Sequence, residues 1–274
     1  MKFIDLFSGI GGFRLGMEMA GHECVGHCEI DKFADRSYRA MHDVKENEWY
    51  ADDITRVESG ELPDADCYCF GFPCQAFSIA GRRRGFKDCR GTLFFEVMRL
   101  AKERKPPILF AENVAGLLNH DRGRTFGIII SAMDELGYDV EWQVLNSQYF
   151  GTPQNRERVF IIGHFRGRSA GKVFPVETDD RKVNELQRQV TNTLTTRTGR
   201  SNAVGTYVVV ENKQHAQDGS NVRRLTPKEC FRLQGFPDEY FDRAAAVNSD
   251  SQLYKQAGNS VTVNVIYEIA RRLP

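Results

Sequence analysis

Cys74 is the residue best suited to nucleophilic chemistry, because it directly follows Pro73 at the end of the apolar run 67–70. Proline fixes φ and has no backbone N–H donor, so a strand cannot simply continue through it. The thiol is therefore expected at a strand end, where open α/β sheets place their chemistry. A free cysteine is more often a small buried hydrophobe. Here the arginines of 81–85 follow closely, and guanidinium groups favour thiolate over thiol, so we interpret Cys74 as a nucleophile.

Acid/base and cationic groups could serve a reaction at the same sheet edge. Glu112 follows the buried run 108–111 and suits acid/base work, although a carboxylate there also fits the start of a helix. Arg156 and Arg158 alternate within 154–158, so an extended chain would point both to one face. Arginine is the usual donor to a base carbonyl or a phosphate, but these two could also only pair with neighbouring acids.

A glycine-rich turn at 8–12 indicates a nucleotide-like ligand. It follows the apolar run 3–7, and Glu29 ends a second strand-like run twenty residues after Gly9. In such a βαβ unit the glycines let a ligand approach the backbone, and the acid binds ribose hydroxyls. Arg14 stands where a dinucleotide fingerprint has its third glycine, and the lysine of a P-loop is missing. An adenosine-containing ligand without a pyrophosphate remains.

Four side chains are suited to hold that ligand. Phe7 could stack on the adenine, and Glu29 could hold the ribose. Asp53 could accept a hydrogen bond from the exocyclic amine, and Ile54 could form an apolar wall. Taken alone, an acid such as Asp53 is more often a solvated loop residue.

The elements that would position these groups alternate between strand and helix over residues 1–166. From about residue 167 the alternation stops, and 191–205 is rich in Thr, Ser, Arg and Gly, which predicts an insert of short strands and loops. Helical patterns lie at 91–100, 125–136, 227–233, 252–257 and 261–273, and later strand-like runs at 108–111, 140–145, 159–162 and 207–211.

Composition indicates a soluble protein with one domain and a smaller appendage. The 274 residues are 27% charged and 41% hydrophobic, and no apolar run approaches the length of a membrane span. The first residues enter a strand-like run at once and lack the features of a signal peptide. Seven cysteines, an odd number at no zinc-ribbon spacing, fit reduced thiols in a cytoplasm.

Charge is unevenly distributed although the formal net charge is zero. Residues 1–66 carry fifteen acidic residues and seven Lys/Arg. Two later stretches are basic: residues 81–105 carry nine Lys/Arg and three acidic residues, and residues 181–224 carry eight Lys/Arg and three acidic residues. This asymmetry is typical of a protein with one face toward a polyanion, although solvated helix faces give similar counts.

Together these stretches resemble the DNA cytosine-5 methyltransferase family of bacterial and phage type, over nearly the whole chain except about 167–222. Any single motif is modest, but nine appear in the family's order, at residues 5–12, 29, 53–54, 71–75, 91–95, 112–114, 154–158, 224–230 and 256–261. The resemblance implies an α/β fold with a Rossmann-like mixed sheet, helices on both faces and a small, mostly β target-recognition domain. The catalytic domain would be 1–166 plus 253–274, and the recognition domain 167–252, with 167–222 variable.

The family implies S-adenosylmethionine as methyl donor, S-adenosylhomocysteine as product and a cytosine flipped out of duplex DNA as substrate. Cys74 would add to C6, Glu112 would hold N3 and the exocyclic amine, and Arg158 would donate to O2, with loop 80–90 closing over the base. The remaining motif positions expected at the catalytic centre are Pro73, Gln75 and Arg156. Those expected at the methyl donor are Phe7, Gly9, Gly11, Glu29, Asp53, Ile54, Leu93, Asn259 and Val261. Those expected at DNA are Arg82, Arg83, Arg84, Arg90, Arg197 and Arg200.

We expect a cytoplasmic protein of bacterial or phage origin that acts as a monomer on double-stranded DNA, with no metal and no membrane partner; a cognate nuclease is not implied. Cys89 in the loop has no catalytic purpose we can derive, and the variable insert is short for the family. A zinc cytosine deaminase is disfavoured because Phe77 stands where its second cysteine would be. A tRNA methyltransferase of the same superfamily would keep every catalytic motif. A non-catalytic DNA-binding module is disfavoured because Cys74, Glu112 and Arg158 are all intact.

Overall fold

A seven-stranded sheet forms the centre of the protein in the computed structural model, which describes residues 1–73, 93–168, 171–178, 191–192, 207–210 and 221–274. The sheet consists of β1 (Lys2–Leu6), β2 (Glu23–Cys28), β3 (Trp49–Ala51), β4 (Cys67–Gly71), β5 (Ile108–Val114), β6 (Tyr138–Asn146) and β8 (Glu157–Phe165). Four short strands lie outside it as the pairs β7 (Gln154–Asn155) with β9 (Thr191–Asn192), and β10 (Tyr207–Val210) with β11 (Asn221–Arg224).

The strand order in the sheet is β3-β2-β1-β4-β5-β8-β6. The first five of these strands are parallel, whereas β8 runs antiparallel to both β5 and β6. The carboxyl ends of β1, β2, β4 and β5 therefore lie at the same end of the sheet. The first residues of the antiparallel strand β8 reach this end too. This confirms the predicted mixed α/β sheet.

Helices cover both faces of the sheet, as predicted. Phe94 and Leu100 of one helix and Met133 of another pack in the core on one face, and Phe13 and Ile266 pack on the other. The helices are α1 (Gly12–Met19), α2 (Lys32–Met41), α3 (Leu93–Arg104), α4 (Arg124–Glu135), α5 (Pro227–Leu233), α6 (Asp238–Ala245), α7 (Asp250–Asn259) and α8 (Val263–Ala270).

The C-terminal helices pack on the N-terminal part of the chain. Gly16 of α1 lies so close to α8 that a Cβ there would be 2.6 Å from the Cβ of Ile266. A third apolar cluster joins Ile10 and Leu15 to Phe231 and Leu253. This cluster crosses the proposed boundary at residue 252, and the division into two domains stays a prediction.

No helix within the described part of the chain combines the length and apolar character that crossing a bilayer requires.

Candidate active site

The strand end before Cys74 is fixed by an asparagine from the neighbouring strand. Asn113 Nδ2 donates to the carbonyl oxygen of Phe72 at 2.7 Å, and its Oδ1 accepts from the Val114 amide at 2.9 Å. Asn113 is only 3% exposed, so water cannot readily replace this bond. Pro73 follows at the surface. The backbone at Phe72, two residues before Cys74 in the sequence, is therefore held by β5.

Glu112 and Arg158 form an ion pair beside this strand end. Arg158 Nε lies 3.0 Å from Glu112 Oε1, and the side chains of Arg158 and Glu112 are 16% and 12% exposed. Gly71 is the strand partner of Glu112, and a Cβ at Gly71 would lie 3.4 Å from Glu112 Oε2. Burial raises the pKa of Glu112, and the opposing charges of Arg158 and Arg156 offset that rise only in part. The raised pKa favours the protonated form of Glu112 more than in a solvent-exposed glutamate.

Arg156 points inward like Arg158, but its observed acceptors are backbone carbonyls. Its Nη2 donates to the carbonyl oxygens of Gly258 at 3.2 Å and Ser260 at 2.8 Å. The side chain is 3% exposed. Burial, with the neighbouring charge of Arg158, lowers the pKa of Arg156 to about 9. The sequence analysis grouped Arg156 with the catalytic residues and missed this contact with the C-terminal turn.

The turn after β1 contains three residues with positive φ. Phe7, Gly9 and Gly11 have φ values of 55°, 56° and 80°, in the left-handed region that is rare for an aromatic residue. Both oxygens of Glu29 accept 2.7 Å hydrogen bonds from amides, Oε2 from Gly9 and Oε1 from Asp31. Burial raises the pKa of Glu29, and these amide donors lower it. The carboxylate thus lies directly against the glycine turn.

Three observations test whether an adenosine ligand fits here. A Cβ at Gly9 would meet no atom of the described residues within 4 Å, so there is space beside the turn. Ser8 Oγ is buried without a hydrogen-bond partner in the described part of the chain. Glu29 keeps acceptor capacity beyond its two amide donors, because a carboxylate offers about four lone-pair sites. The residues present fit the ligand.

The other residues predicted to hold the methyl donor lie in separate parts of the chain. Asp53 Oδ1 accepts from the Thr55 amide at 3.0 Å, and the Thr55 bonds lower the pKa of Asp53, so it is an ionised acceptor. The side chain of Ile54 is 2% exposed in the core. Its role as an apolar wall stays a prediction. Leu93 begins α3 and is partly buried, Asn259 ends α7 and is exposed, and Val261 is 8% exposed.

The C-terminal turn and the glycine turn are in direct contact. A Cβ at Gly12 would lie 2.8 Å from both Ser260 Oγ and Val261 Cγ2, so only glycine allows this approach. The two segments expected at the methyl donor are thereby brought together, although they lie about 250 residues apart.

Several predicted site residues fall outside the described residues, namely Cys74, Gln75, Arg82, Arg83, Arg84, Arg90, Arg197 and Arg200, together with Cys89 and loop 80–90. Sequence reasoning gave no role to Asn113, to Gly71 beside Glu112, or to Ile30, which follows Glu29 and is 75% exposed. Among the described residues no group of three or more His, Cys, Asp or Glu side chains could hold a metal.

Known proteins resemble this chain in sequence over its whole length. The profile described as C-5 cytosine-specific DNA methylase matches residues 1–202 and 166–274, two segments that overlap. The Type II methyltransferase M.DsaV of Dactylococcopsis salina is 37% identical over 308 residues, which cover 100% of this chain and 86% of that protein. M.HhaI of Haemophilus parahaemolyticus is 36% identical over 312 residues, 98% of this chain and 93% of that protein.

Solved structures agree with the fold. The crystal structure of S. pombe Dnmt2 methyltransferase superposes with a TM-score of 0.73 at 17% identity and covers 98% of this chain and 97% of that chain. A putative DNA modification methyltransferase encoded within an E. coli prophage superposes with a TM-score of 0.65 at 18% identity and covers 99% and 97%. At such identities the likeness concerns the fold alone.

Proposed function

Because this chain belongs to the C-5 cytosine-specific DNA methylase family, we propose that Cys74, Glu112 and Arg158 carry out methylation of cytosine C5 in duplex DNA. The enzyme is a DNA (cytosine-5-)-methyltransferase. The observation that carries the residue assignment is the buried Glu112–Arg158 pair, 3.0 Å between Nε and Oε1, beside the strand end that leads to Cys74.

The reaction needs a nucleophile because C5 of cytosine is itself a poor one. The Cys74 thiolate adds to C6, and the electron pair released into the ring makes C5 an enamine carbon that can accept a methyl cation. Glu112 holds N3 and the exocyclic amine, and Arg158 donates a hydrogen bond to O2. These two fixed groups stabilise the negative charge that develops on the ring. After transfer the C5 proton is removed and the C6–S bond breaks, which restores the aromatic ring and the Cys74 thiolate.

The methyl donor that we propose is S-adenosylmethionine, which supplies an electrophilic methyl group when bound. Phe7 would stack on its adenine, Glu29 would accept from its ribose hydroxyls, and Asp53 would accept from its exocyclic amine. The contact of Gly12 with Ser260 supports placing Asn259 and Val261 at the same ligand. The other proposed contacts are Gly9, Gly11, Ile54 and Leu93.

Recognition of a target within DNA requires the cytosine to leave the stack, since C6 is inaccessible in a duplex. We propose that loop 80–90, with Arg82, Arg83, Arg84 and Arg90, closes over the flipped base, and that the enzyme works as a monomer. The Type II relatives support a role as the modification enzyme of a restriction-modification pair, in a bacterial cytoplasm.

Substitution of Cys74 tests the nucleophile. Cys74→Ser should abolish methyl transfer and keep cofactor binding, because a hydroxyl is far less nucleophilic than a thiolate at neutral pH. DNA with 5-fluorocytosine at the target should form a covalent adduct at Cys74 only when methyl donor is present. Mass mapping of that adduct identifies the thiol, and an adduct at Cys89 would overturn the assignment. Bisulfite sequencing of DNA from expressing cells reports activity and target sequence together.

Sequence preference tests the variable segment. Side chains that bind the flipped base contact only the cytosine itself and cannot recognise its neighbours. We therefore assign recognition of the flanking bases to residues 167–222, with Arg197 and Arg200 as the candidate contacts. Replacing either with Ala should change preference at one flanking position by about 1–3 kcal/mol if it reads a base, or weaken all sites uniformly if it binds phosphate. A chimera that carries 167–222 in a relative should acquire this enzyme's target, and retention of the host's target would contradict the assignment.

A further inference from the structure

Residues 154–158 form an extended segment whose alternate side chains reach three separate parts of the protein. Gln154 Nε2 donates to the carbonyl oxygen of Leu233 at 2.8 Å, at the end of α5. Arg156 donates to the backbone of the turn at 258–260, and Arg158 pairs with Glu112. Positions i, i+2 and i+4 of an extended chain share one face, so a single short segment connects these three parts.

The contact of Arg156 fixes the backbone on both sides of Asn259. One nitrogen, Nη2, donates to Gly258 O and Ser260 O at 3.2 and 2.8 Å, and the side chain is 3% exposed. The same turn packs on the glycine turn, since a Cβ at Gly12 would lie 2.8 Å from Ser260 Oγ. The position of Arg156 thus bears on both segments proposed to hold the methyl donor.

Arg156 also lies in the electrostatic field of the proposed base-binding pair. The Arg158 charge lowers its pKa, and the Glu112 carboxylate raises it. The Glu112 carboxylate therefore attracts the same guanidinium that donates to the two carbonyl oxygens of the turn. If Glu112 turns its hydrogen-bonding capacity to a cytosine, its attraction for Arg156 weakens, and the hydrogen bonds of Arg156 to the two carbonyl oxygens of the turn strengthen.

We propose that Arg156 is a positioning residue that couples the Glu112–Arg158 pair to the 258–260 turn, so that target cytosine and methyl donor bind cooperatively. This inference rests on the proposed function. It assigns Arg156 no contact with the reacting atoms. Coupling of this kind is reciprocal: DNA should strengthen binding of the donor by the same factor as the donor strengthens binding of DNA.

Calorimetric titration of S-adenosylhomocysteine with and without target duplex measures the coupling directly and does not depend on turnover. The duplex carries the site that bisulfite sequencing identifies for the wild type. Wild-type affinity should rise by about tenfold when DNA is present, within the usual range for linked sites. In Arg156→Lys the rise should fall to less than about twofold, because one ammonium cannot reproduce the planar fork of the guanidinium.

Arg14→Lys is the matched control, since Arg14 is also 3% exposed and donates to a backbone carbonyl, that of Asp43 at 3.2 Å, but contacts neither proposed site. It should keep the tenfold rise, which separates coupling from a general loss of stability. An unchanged rise in Arg156→Lys, or an equal loss in both variants, would overturn the proposal.

A measurement on the wild type alone keeps the proposal testable if Arg156→Lys does not fold. Target DNA without S-adenosylhomocysteine should slow amide hydrogen exchange at 258–262, and exchange that DNA leaves unchanged there would contradict the coupling. A wild type that methylates DNA without this protection would refute the inference and keep the proposed function. A wild type that methylates no DNA would refute the proposed function itself.

Discussion

At Glu112, two opposing effects act on one carboxyl group. Burial favours the neutral acid, and Arg158 at 3.0 Å favours the carboxylate, with a net rise in the pKa. A group balanced in this way can accept from the exocyclic amine of cytosine and share a proton with N3. A raised pKa is the property that the proposed role of Glu112 at N3 requires, whereas a purely structural ion pair would gain from full ionisation.

Glu112→Gln should slow the chemical step and leave binding largely intact. The amide keeps the shape and the hydrogen-bonding capacity of the carboxyl group, but it cannot move a proton to or from N3. We expect the single-turnover rate constant to fall by about 10² to 10⁴-fold, the usual contribution of a positioned acid or base. Rapid-quench measurement at saturating DNA and donor tests this, and an unchanged rate constant removes Glu112 from the catalytic residues.

The chemistry proposed for Cys74 and Glu112 was inferred from local motifs in the sequence, and it stays a prediction. Cys74 after Pro73, and Glu112 after an apolar run, both follow from residue types and spacing. The contacts of Asn113 and Arg156 were not readable, because their acceptors are backbone carbonyls 41 and at least 102 residues away. A carbonyl carries no residue identity, so only the fold reveals which one a buried donor meets.

At the scale of elements, the buried strands were predicted best. Strands β1, β4 and β5 are buried over most of their length and consist mainly of apolar residues, because both faces of the sheet are covered by helices. No prediction was made for α2 or β3. The four buried residues of α2, Ala34, Ser37, Tyr38 and Met41, have the helical spacing i, i+3, i+4 and i+7, but two of them are small or polar, and the sequence analysis did not use this pattern. Strand β3 has only three residues, too few to show a period. An extended course of 154–158 was only the condition under which Arg156 and Arg158 would share a face, and β7 together with the start of β8 makes most of this stretch extended.

The end of β4 offers a test of how strand position controls activity. Asn113→Ala leaves the Phe72 carbonyl without its donor and should lower stability by about 1–3 kcal/mol. It should also reduce turnover about tenfold, because small misplacements of reacting groups are costly. Tyr138→Phe is the matched control, since it removes a 2.9 Å hydrogen bond to the Pro106 carbonyl at the opposite end of the strands.

Urea unfolding and steady-state rates of both variants separate the two effects. Tyr138→Phe should lose stability within the same range but keep turnover near the wild-type value. Equal turnover in the Asn113 and Tyr138 variants would show that the strand end does not control the position of Cys74.

For the molecule as a whole, the acidic excess of residues 1–66 has a structural explanation that the sequence analysis did not provide. Arg14 Nη1 lies 2.8 Å from Glu48 Oε2 with both side chains 3% exposed, and Arg14 Nε lies 2.8 Å from Glu18 Oε1. The same arginine that excluded a dinucleotide fingerprint is the centre of a buried ion network. Part of the acidic excess is therefore internal, and the charge count overstated the asymmetry of the surface.

His42 belongs to the same buried region and takes up no proton there. Its ring lies beneath the glycine turn, 4% exposed, and Nε2 donates to the Ile10 carbonyl oxygen at 3.0 Å. Burial, with the charges of Arg14, His27 and Arg243, lowers the pKa of His42 from 6.5 to about 3, although the Ile10 bond opposes the shift. The neutral ring is thus part of the folded state.

Global stability should consequently depend on pH through His42. Below pH 6.5 His42 is protonated in the unfolded chain but stays neutral in the folded chain. The free energy of unfolding therefore falls as the pH decreases toward about 3. One such group contributes a slope of about 1.4 kcal/mol per pH unit. Buried carboxyl groups with raised pKa values, such as Asp5 and Glu29, act in the opposite direction, so the absolute slope is a sum. His42→Gln keeps an N–H donor for Ile10 but cannot titrate. Between pH 6 and pH 4.5 the free energy of unfolding, measured by urea unfolding, should therefore depend less on pH in this variant, by the equivalent of about one proton taken up on unfolding. If the variant and the wild type have parallel pH profiles, then His42 is protonated equally in the folded and unfolded states and this account of acid sensitivity is wrong.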